Sequence, residues 1–139
     1  DRRQRQMCIR DRVQIQSEPI YAERYPCLPI CEDFKENMAR VGISMCLPDP
    51  KLLFGSSDIG NVSIKIPAIH DYLSITDEEI PAHSKEYAKA AAEPAADEIC
   101  IKGAQGLAMT GLDLLLDESL RQAAAEYHEK VVPDFYKEK

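Results

Sequence analysis

The sequence is short of positive charge. Lys and Arg number 17 against 24 Asp and Glu, a formal net charge of −7 over 139 residues. That balance excludes a general nucleic-acid binder, which needs a basic face for phosphate contacts. No run approaches the roughly 18 consecutive apolar residues of a bilayer-spanning segment, so no membrane partner is expected. The chain opens at Asp1 without an initiator Met and without the charged-then-apolar pattern of a secretory signal. The expectation is a piece of a longer chain. Also missing are a Cys-X-X-Cys pair, a phosphate loop ending in Gly-Lys-Ser/Thr and any internal repeat. Hydrophobic residues make up 45%, which excludes a wholly disordered chain. The length suits one domain.

What positive charge there is sits unevenly. Arg2, Arg3, Arg5, Arg10 and Arg12 face only Asp1 and Asp11, a local +3 that leaves −10 for the remainder. A phosphate-gripping arm is the functional reading of this contrast. Against it, Gln6-Met7-Cys8-Ile9-Arg10-Asp11-Arg12 resembles a translated sequencing adaptor, and residues 1–12 are expected to be non-native or disordered. Cysteines stand at 8, 27, 31, 46 and 100, an odd number with no secretory signal, so reduced thiols in a cytoplasmic setting are expected. Cys27, Cys31 and Cys46 form the nucleus of a thiol zinc module, but no suitably spaced fourth ligand follows. Cys31 also falls on the apolar face of a predicted helix, where a thiol behaves as a small hydrophobe.

That helix is the clearest element. Leu28, Cys31, Phe34, Met38 and Val41 recur at helical spacing, Pro29 suits a first turn, and Glu32 and Asp33 complement the positive end of the dipole. Arg40 sits in the last turn and Gly42 supplies the stop. Residues 13–16 are expected to end a strand. Val62, Ile64 and Ile66 alternate with Ser63 and Lys65, predicting a half-buried strand, and residues 72–75 predict a second. Ser84 caps a predicted helix over 85–92, Pro94 opens one through Leu116, and Asp117 caps another to about Lys130. Residues 131–139 are expected to fray. In the longest helix, Gly103, Gly106 and Gly111 with Ala104 and Ala108 predict close packing on a sheet or another helix. Ile99, Leu107, Met109, Leu112, Leu115 and Leu116 are expected to supply its buried surface. Strands followed by helices predict an α/β layer arrangement with an incomplete sheet.

Three histidines occur. His128, in a charged helix, reads as a solvated surface residue. His70 follows the first predicted strand and His83 directly precedes a helix cap, the kind of edge where ligand sites gather. Each reads either as a structural residue or as a metal ligand. The loop Gly55-Ser56-Ser57-Asp58 can bring backbone N–H groups and hydroxyls close to an anion, with Asp58 accepting hydrogen bonds; the alternative is an ordinary turn.

The ordered set Gly55-Ser56-Ser57-Asp58-Ile59-Gly60-Asn61-Val62-Ser63, Ile66-Pro67-Ala68-Ile69-His70 and Ala82-His83-Ser84-Lys85-Glu86-Tyr87 resembles the C-terminal part of the zinc-dependent aminoacylase/carboxypeptidase family of metallopeptidases. The branch it resembles contains the aminobenzoyl-glutamate hydrolase-like amidohydrolases and the dipeptidases of basic dipeptides. The resemblance spans about residues 17–127 and includes Lys102-Gly103-Ala104 and Leu112-Asp113-Leu114-Leu115. It implies a partial three-layer catalytic domain of a zinc exopeptidase-like fold over residues 13–130, with its C-terminal strands and helices only and its lid domain absent. It also implies two zinc ions, or other divalent metals, in the complete enzyme, and a metal-activated water that attacks an amide carbonyl with a Glu as general base. The substrate would be a small amide or dipeptide, and the complete enzyme a homodimer through the lid.

By that resemblance His83, which follows Asp58 by 25 residues, takes the role of the last metal ligand. His70 is its neighbour and runner-up, and Gly55, Ser56, Ser57, Asp58 and His70 take the substrate side. The departures are equally definite. There is no His-X-Asp ligand pair, and Glu78-Glu79 lies after the glycine loop rather than before it. One ligand does not make the three of a catalytic zinc, so the isolated chain is expected to be inactive and to expose apolar surface. The competing reading is a non-catalytic α/β interaction module with the Gly55 loop as its binding surface.

Overall fold

The computed structural model describes residues 21–49 and 57–137. Among them are six helices: α1 (Leu28–Arg40), α2 (Ile59–Ser63), α3 (Lys85–Ala90), α4 (Pro94–Leu116), α5 (Glu118–Val131) and α6 (Asp134–Lys137). Helices α1, α4 and α5 pack on one another. The expected α/β layers are not what these residues form: no β-strand occurs among them, only an isolated parallel bridge between Pro26 and Ala68. The expectation for residues 13–16 lies outside the described residues.

The strand expected over 62–66 is the instructive correction. Its first half lies in α2, and the chain keeps turning afterwards, with Ile64 N–H donating to Gly60 O at 3.2 Å and Ile66 N–H to Val62 O at 3.0 Å. Three alternating apolar residues make a weak period-two signal, and an extended segment needs a neighbour to accept its backbone groups. No described strand offers one. The helical turn satisfies those groups locally and leaves Val62 and Ile66 exposed. Residues 72–75 likewise carry no strand.

Helix α1 follows its sequence closely. Ile30, Cys31, Phe34, Asn37 and Met38 are buried, Met38 completely, while the expected Leu28 and Val41 are only half-buried. The helix begins at Leu28, so Glu32 and Asp33 fall in its second turn rather than its first. It ends in a Schellman motif: Gly42 takes φ +81°, its N–H donates to Ala39 O at 3.0 Å, and Ile43 N–H donates to Met38 O at 2.9 Å.

The expected close approach of α4 occurs, and its partner is α1. A Cβ on Gly106 would fall on Met38 Sδ, and one on Gly103 would sit 2.8 Å from Leu73 Cδ1, whereas Gly111 has nothing within 4 Å. The buried side of α4 is Ala96, Gly103, Gly106 and Thr110. Of the large residues expected to be buried, Ile99 and Met109 are half-buried, while Leu107, Leu112, Leu115 and Leu116 are exposed, Leu115 77% accessible. The bulky side chains at this crossing come from α1, so α4 must offer small ones. Helix α4 is also long and apolar enough to cross a membrane by length and composition. The Glu98–Lys102 ion pair, at 2.7 Å, and Asp113 lie within it.

Between these helices lies a polar knot. Asn37, 1% exposed, shares its two amide hydrogens among Asp33 Oδ2 (3.1 Å), Thr110 Oγ1 (3.0 Å) and Asp113 Oδ2 (2.8 Å). Arg40 donates to Asn37 Oδ1 at 2.8 Å. Burial holds the Asp33 carboxyl above its ordinary value, Thr110 pulls it down by hydrogen bonding, and the Asp113 charge pushes it up.

Of the stretch expected to fray, the described residues 131–137 make defined contacts. Val132 is buried, Lys65 Nζ donates to Tyr136 O at 3.0 Å, and Lys137 pairs with Glu129 at 2.9 Å. The caps at Ser84 and Asp117 form as the sequence indicates, accepting from Tyr87 N–H and from Ser119 and Leu120 N–H. Helix α3 is shorter than expected, ending at Ala90.

Two tests follow from the α1–α4 crossing. Gly106→Leu is expected to lower stability by about 1–3 kcal/mol through overpacking, while Gly111→Ala, in open space, raises it by about 1 kcal/mol. Chemical denaturation separates them, and equal effects would contradict the close approach. Asn37→Ala, which strands three acceptors and the Arg40 donor, is expected to cost about 2 kcal/mol by the same measurement.

Candidate functional site

A pocket of about 370 Å³ opens where three short segments meet the ends of α1 and α5. The segments are held by backbone and side-chain bonds rather than by a sheet. Ala22 N–H donates to Asn61 Oδ1 at 2.7 Å, Tyr25 N–H to Ser63 Oγ at 3.1 Å, and Cys27 N–H to Ala68 O at 3.0 Å. Gly60 permits this, since a Cβ there would fall on the Ala22 carbonyl oxygen. Buried Ser63 completes the latch by donating to Gly60 O at 3.0 Å. His128, expected to be solvated, sits with Nε2 2.8 Å from Ser63 O and joins α5 to α2.

The pocket walls are Leu28, Ile59 and Ile69 with Tyr127 of α5, and its polar groups include Arg24, His70 and Asp71. Arg24 Nη1 donates to Tyr72 Oη at 3.0 Å and lies 3.5 Å from His70 Nδ1. The His70 and Tyr72 rings stack at 4.9 Å between centroids. Asp71 is the anomaly. Its Oδ2 is buried with no hydrogen-bond partner among the described residues. Burial raises its pKa, and the His70 charge opposes this. Cys31, on the same pocket, is pushed up to about 12 by burial and by the Asp71 charge. Burial therefore favours the neutral thiol over the thiolate that a nucleophile needs.

The expected site residues separate. His70 lines the pocket, and Ser57 and Asp58 lead into α2, whose Ile59 also lines it. Ser57 Oγ lies 3.5 Å from Asp58 Oδ1, and Asp58 stands exposed at the start of α2. Gly55 and Ser56 lie outside the described residues. His83 is elsewhere, exposed in the turn before α3, and does not line this pocket. It takes φ +62°, a left-handed conformation found at no other described residue but Gly42.

Among the described residues no group of three or more His, Cys, Asp or Glu side chains is placed to hold an ion. Cys27 and Cys31 are buried apolar-face thiols while Cys46 is exposed, so the thiol module does not assemble either. Sequence reasoning missed Asp71. Its signal, a lone acid between His70 and Tyr72 in an otherwise apolar run, becomes distinctive only when burial is known.

No family model matches the chain. It is similar to two curated proteins. Over 111 residues, 78% of this chain, it is 34% identical to a Xaa-Arg dipeptidase of Mus musculus, of which the matched stretch is 26%. Over 108 residues, 76% of this chain, it is 32% identical to a Xaa-Arg dipeptidase of Homo sapiens, of which the match covers 24%. The chain thus spans about a quarter of the length of these relatives.

The Asp71 anomaly has a pH signature. A carboxyl raised by folding holds its proton more tightly in the folded chain. Its stabilising contribution is complete below the ordinary carboxylate range and lost as pH rises through the folded value. Asp71→Asn is therefore expected to be more stable than the wild type at neutral pH, with the gap closing in acid. Thermal unfolding against pH checks this, and a less stable Asn variant at neutral pH would contradict it.

Proposed function

We propose that this chain supplies the C-terminal part of the catalytic domain of a metal-dependent amidohydrolase that cleaves dipeptides or N-acyl amino acids. The observation that carries the reading is the 34% identity to a Xaa-Arg dipeptidase across 78% of the chain. Two features of the structure support it. The exposed apolar side of α4 suits a helix covered on both faces within a larger domain. His83 is held in a strained backbone conformation, and such outliers gather at functional sites.

In this reading His83 is one zinc ligand of the complete enzyme, the other ligands and the general base coming from outside the 139 residues. His70, Ser57 and Asp58 serve the substrate side. Because these residues do not make a metal site alone, the isolated chain is expected to hold no stoichiometric metal and to hydrolyse no dipeptide.

The test uses a longer protein containing this segment. His83→Ala there is expected to lower metal content and to cost turnover more than the roughly 10–100-fold typical of losing an outer-shell partner. Normal metal content and turnover in that variant would sink the assignment. His70→Ala is expected to retain the metal and to weaken substrate binding instead. A longer protein with no hydrolytic activity on any dipeptide would favour the non-catalytic interaction module.

A further inference from the structure

We propose that Asp33 of α1 and Asp113 of α4, which meet on the side-chain nitrogen of Asn37, form a proton-operated clasp on the crossing of the two helices. With a proton on Asp33 the crossing is held most tightly, and with both carboxyls ionised it loosens. The device belongs to the helix pair and does not depend on the dipeptidase reading.

Both carboxylates come to one point. Asp33 Oδ2 lies 3.1 Å and Asp113 Oδ2 2.8 Å from Nδ2 of the buried Asn37. The donors they find there are neutral: the Asn37 amide serves both, and the buried Thr110 hydroxyl hydrogen-bonds Asp33. The nearby cation is directed elsewhere. Arg40 Nη1 donates to Asn37 Oδ1 at 2.8 Å, and among the described residues no ion pair joins it to either carboxylate. Two like charges thus face each other across a half-buried contact with no counter-ion in bonding reach. Carboxyls so placed resist ionising together, and one keeps its proton longer.

Asp33 is the one that keeps it. Burial strips its water, Asp113 adds a like charge from the facing helix, and Glu36 adds another from its own. Thr110 and Arg40 act the other way, and among the described residues no charged group of α5 acts on it. A carboxyl raised by folding stabilises the fold fully below the ordinary carboxylate range, and that contribution is lost as pH rises through the folded value. The crossing is therefore firmer on the acid side of that value. A carboxylate such as Asp117 behaves oppositely, since hydrogen bonds from Ser119 and Leu120 hold it below its ordinary value and its contribution is lost in acid.

The 139-residue chain is titrated by NMR, following the Asp33 and Asp113 carboxyl carbons and the Asn37 side-chain amide. Asp33 is expected to titrate above the ordinary carboxylate range, with the Asn37 amide signals moving at the same midpoint. In Asp33→Asn, which puts a neutral group of the same shape in place, those signals are expected to stay still over that interval. An Asp33 midpoint at or below the ordinary range, or Asn37 signals that do not follow it, would overturn the clasp without any variant. Thermal unfolding is the second measurement. Burial also raises Asp71, so variants are compared with the wild type at each pH. Asp33→Asn is expected to unfold a few degrees above the wild type at neutral pH, the gap closing in acid. Asp113→Asn is expected to do likewise, and the double variant to gain clearly less than the sum, because one neutral partner already removes the repulsion. Full additivity would mean two independently buried acids and would sink the device.

Discussion

Helices α1 and α4 meet where Gly106 faces Met38 and Phe34, closely enough that no Cβ fits between them. Two consequences follow from that contact. The buried α1 side chains fill the space that α4 leaves, so Met38 is wholly enclosed. The approach also brings Thr110 and Asp113 of α4 within hydrogen-bonding reach of Asn37. Apolar packing alone would let the two helices slide along their axes. The Asn37 amide has two hydrogens and three oxygen acceptors around it, and satisfying them fixes both register and rotation. With that crossing set, the Leu28 end of α1 is aimed at α5, where Cys27 and Ile30 pack on Ala124.

Much of this arrangement was legible in the sequence, and the reasons differ by element. α1 announced itself through a stripe of large apolar residues and a terminal glycine, and both signals are local. The span of α4 followed from Pro94 and Asp117, again local punctuation. Which side of α4 would be buried was not legible. Its sequence offers two apolar faces, one small and one large, and helical period alone does not choose between them. The choice depends on the partner: Phe34 and Met38 occupy the volume at the contact, so the small face goes in. The 62–66 segment failed for a related reason. Alternation signals a strand only if another strand lies alongside, and pairing is a property of neighbours rather than of the segment.

The candidate site divided along the same line. His70 and the Ser57–Asp58 loop drew notice as residue types in a motif, and they reach the pocket or its border. Asp71 carries no motif. Its significance comes from losing water without gaining a donor among the described residues, a condition of the folded chain and not of the local sequence. His128 was misread for the mirror-image reason. Its charged surroundings in sequence suggest solvent, yet the latch at Ser63 draws its ring onto a backbone carbonyl. Polar residues are the hardest to place from sequence, because a hydrogen bond needs only one partner, and that partner can come from anywhere in the chain.

The pocket's construction bears on how it would respond to change. Its outline is set less by helix-on-helix contact than by the latches from residues 22–27 to Asn61, Ser63 and Ala68. Each latch is a single hydrogen bond, of the order of 1 kcal/mol net. Buried packing at the α1–α4 crossing, where Met38 is wholly enclosed, is worth more. Helix α1 serves both, with Phe34 and Met38 at the crossing and Leu28 and Cys31 on the pocket. The crossing holds the helices, while the segments around Asp71 are fastened by single hydrogen bonds.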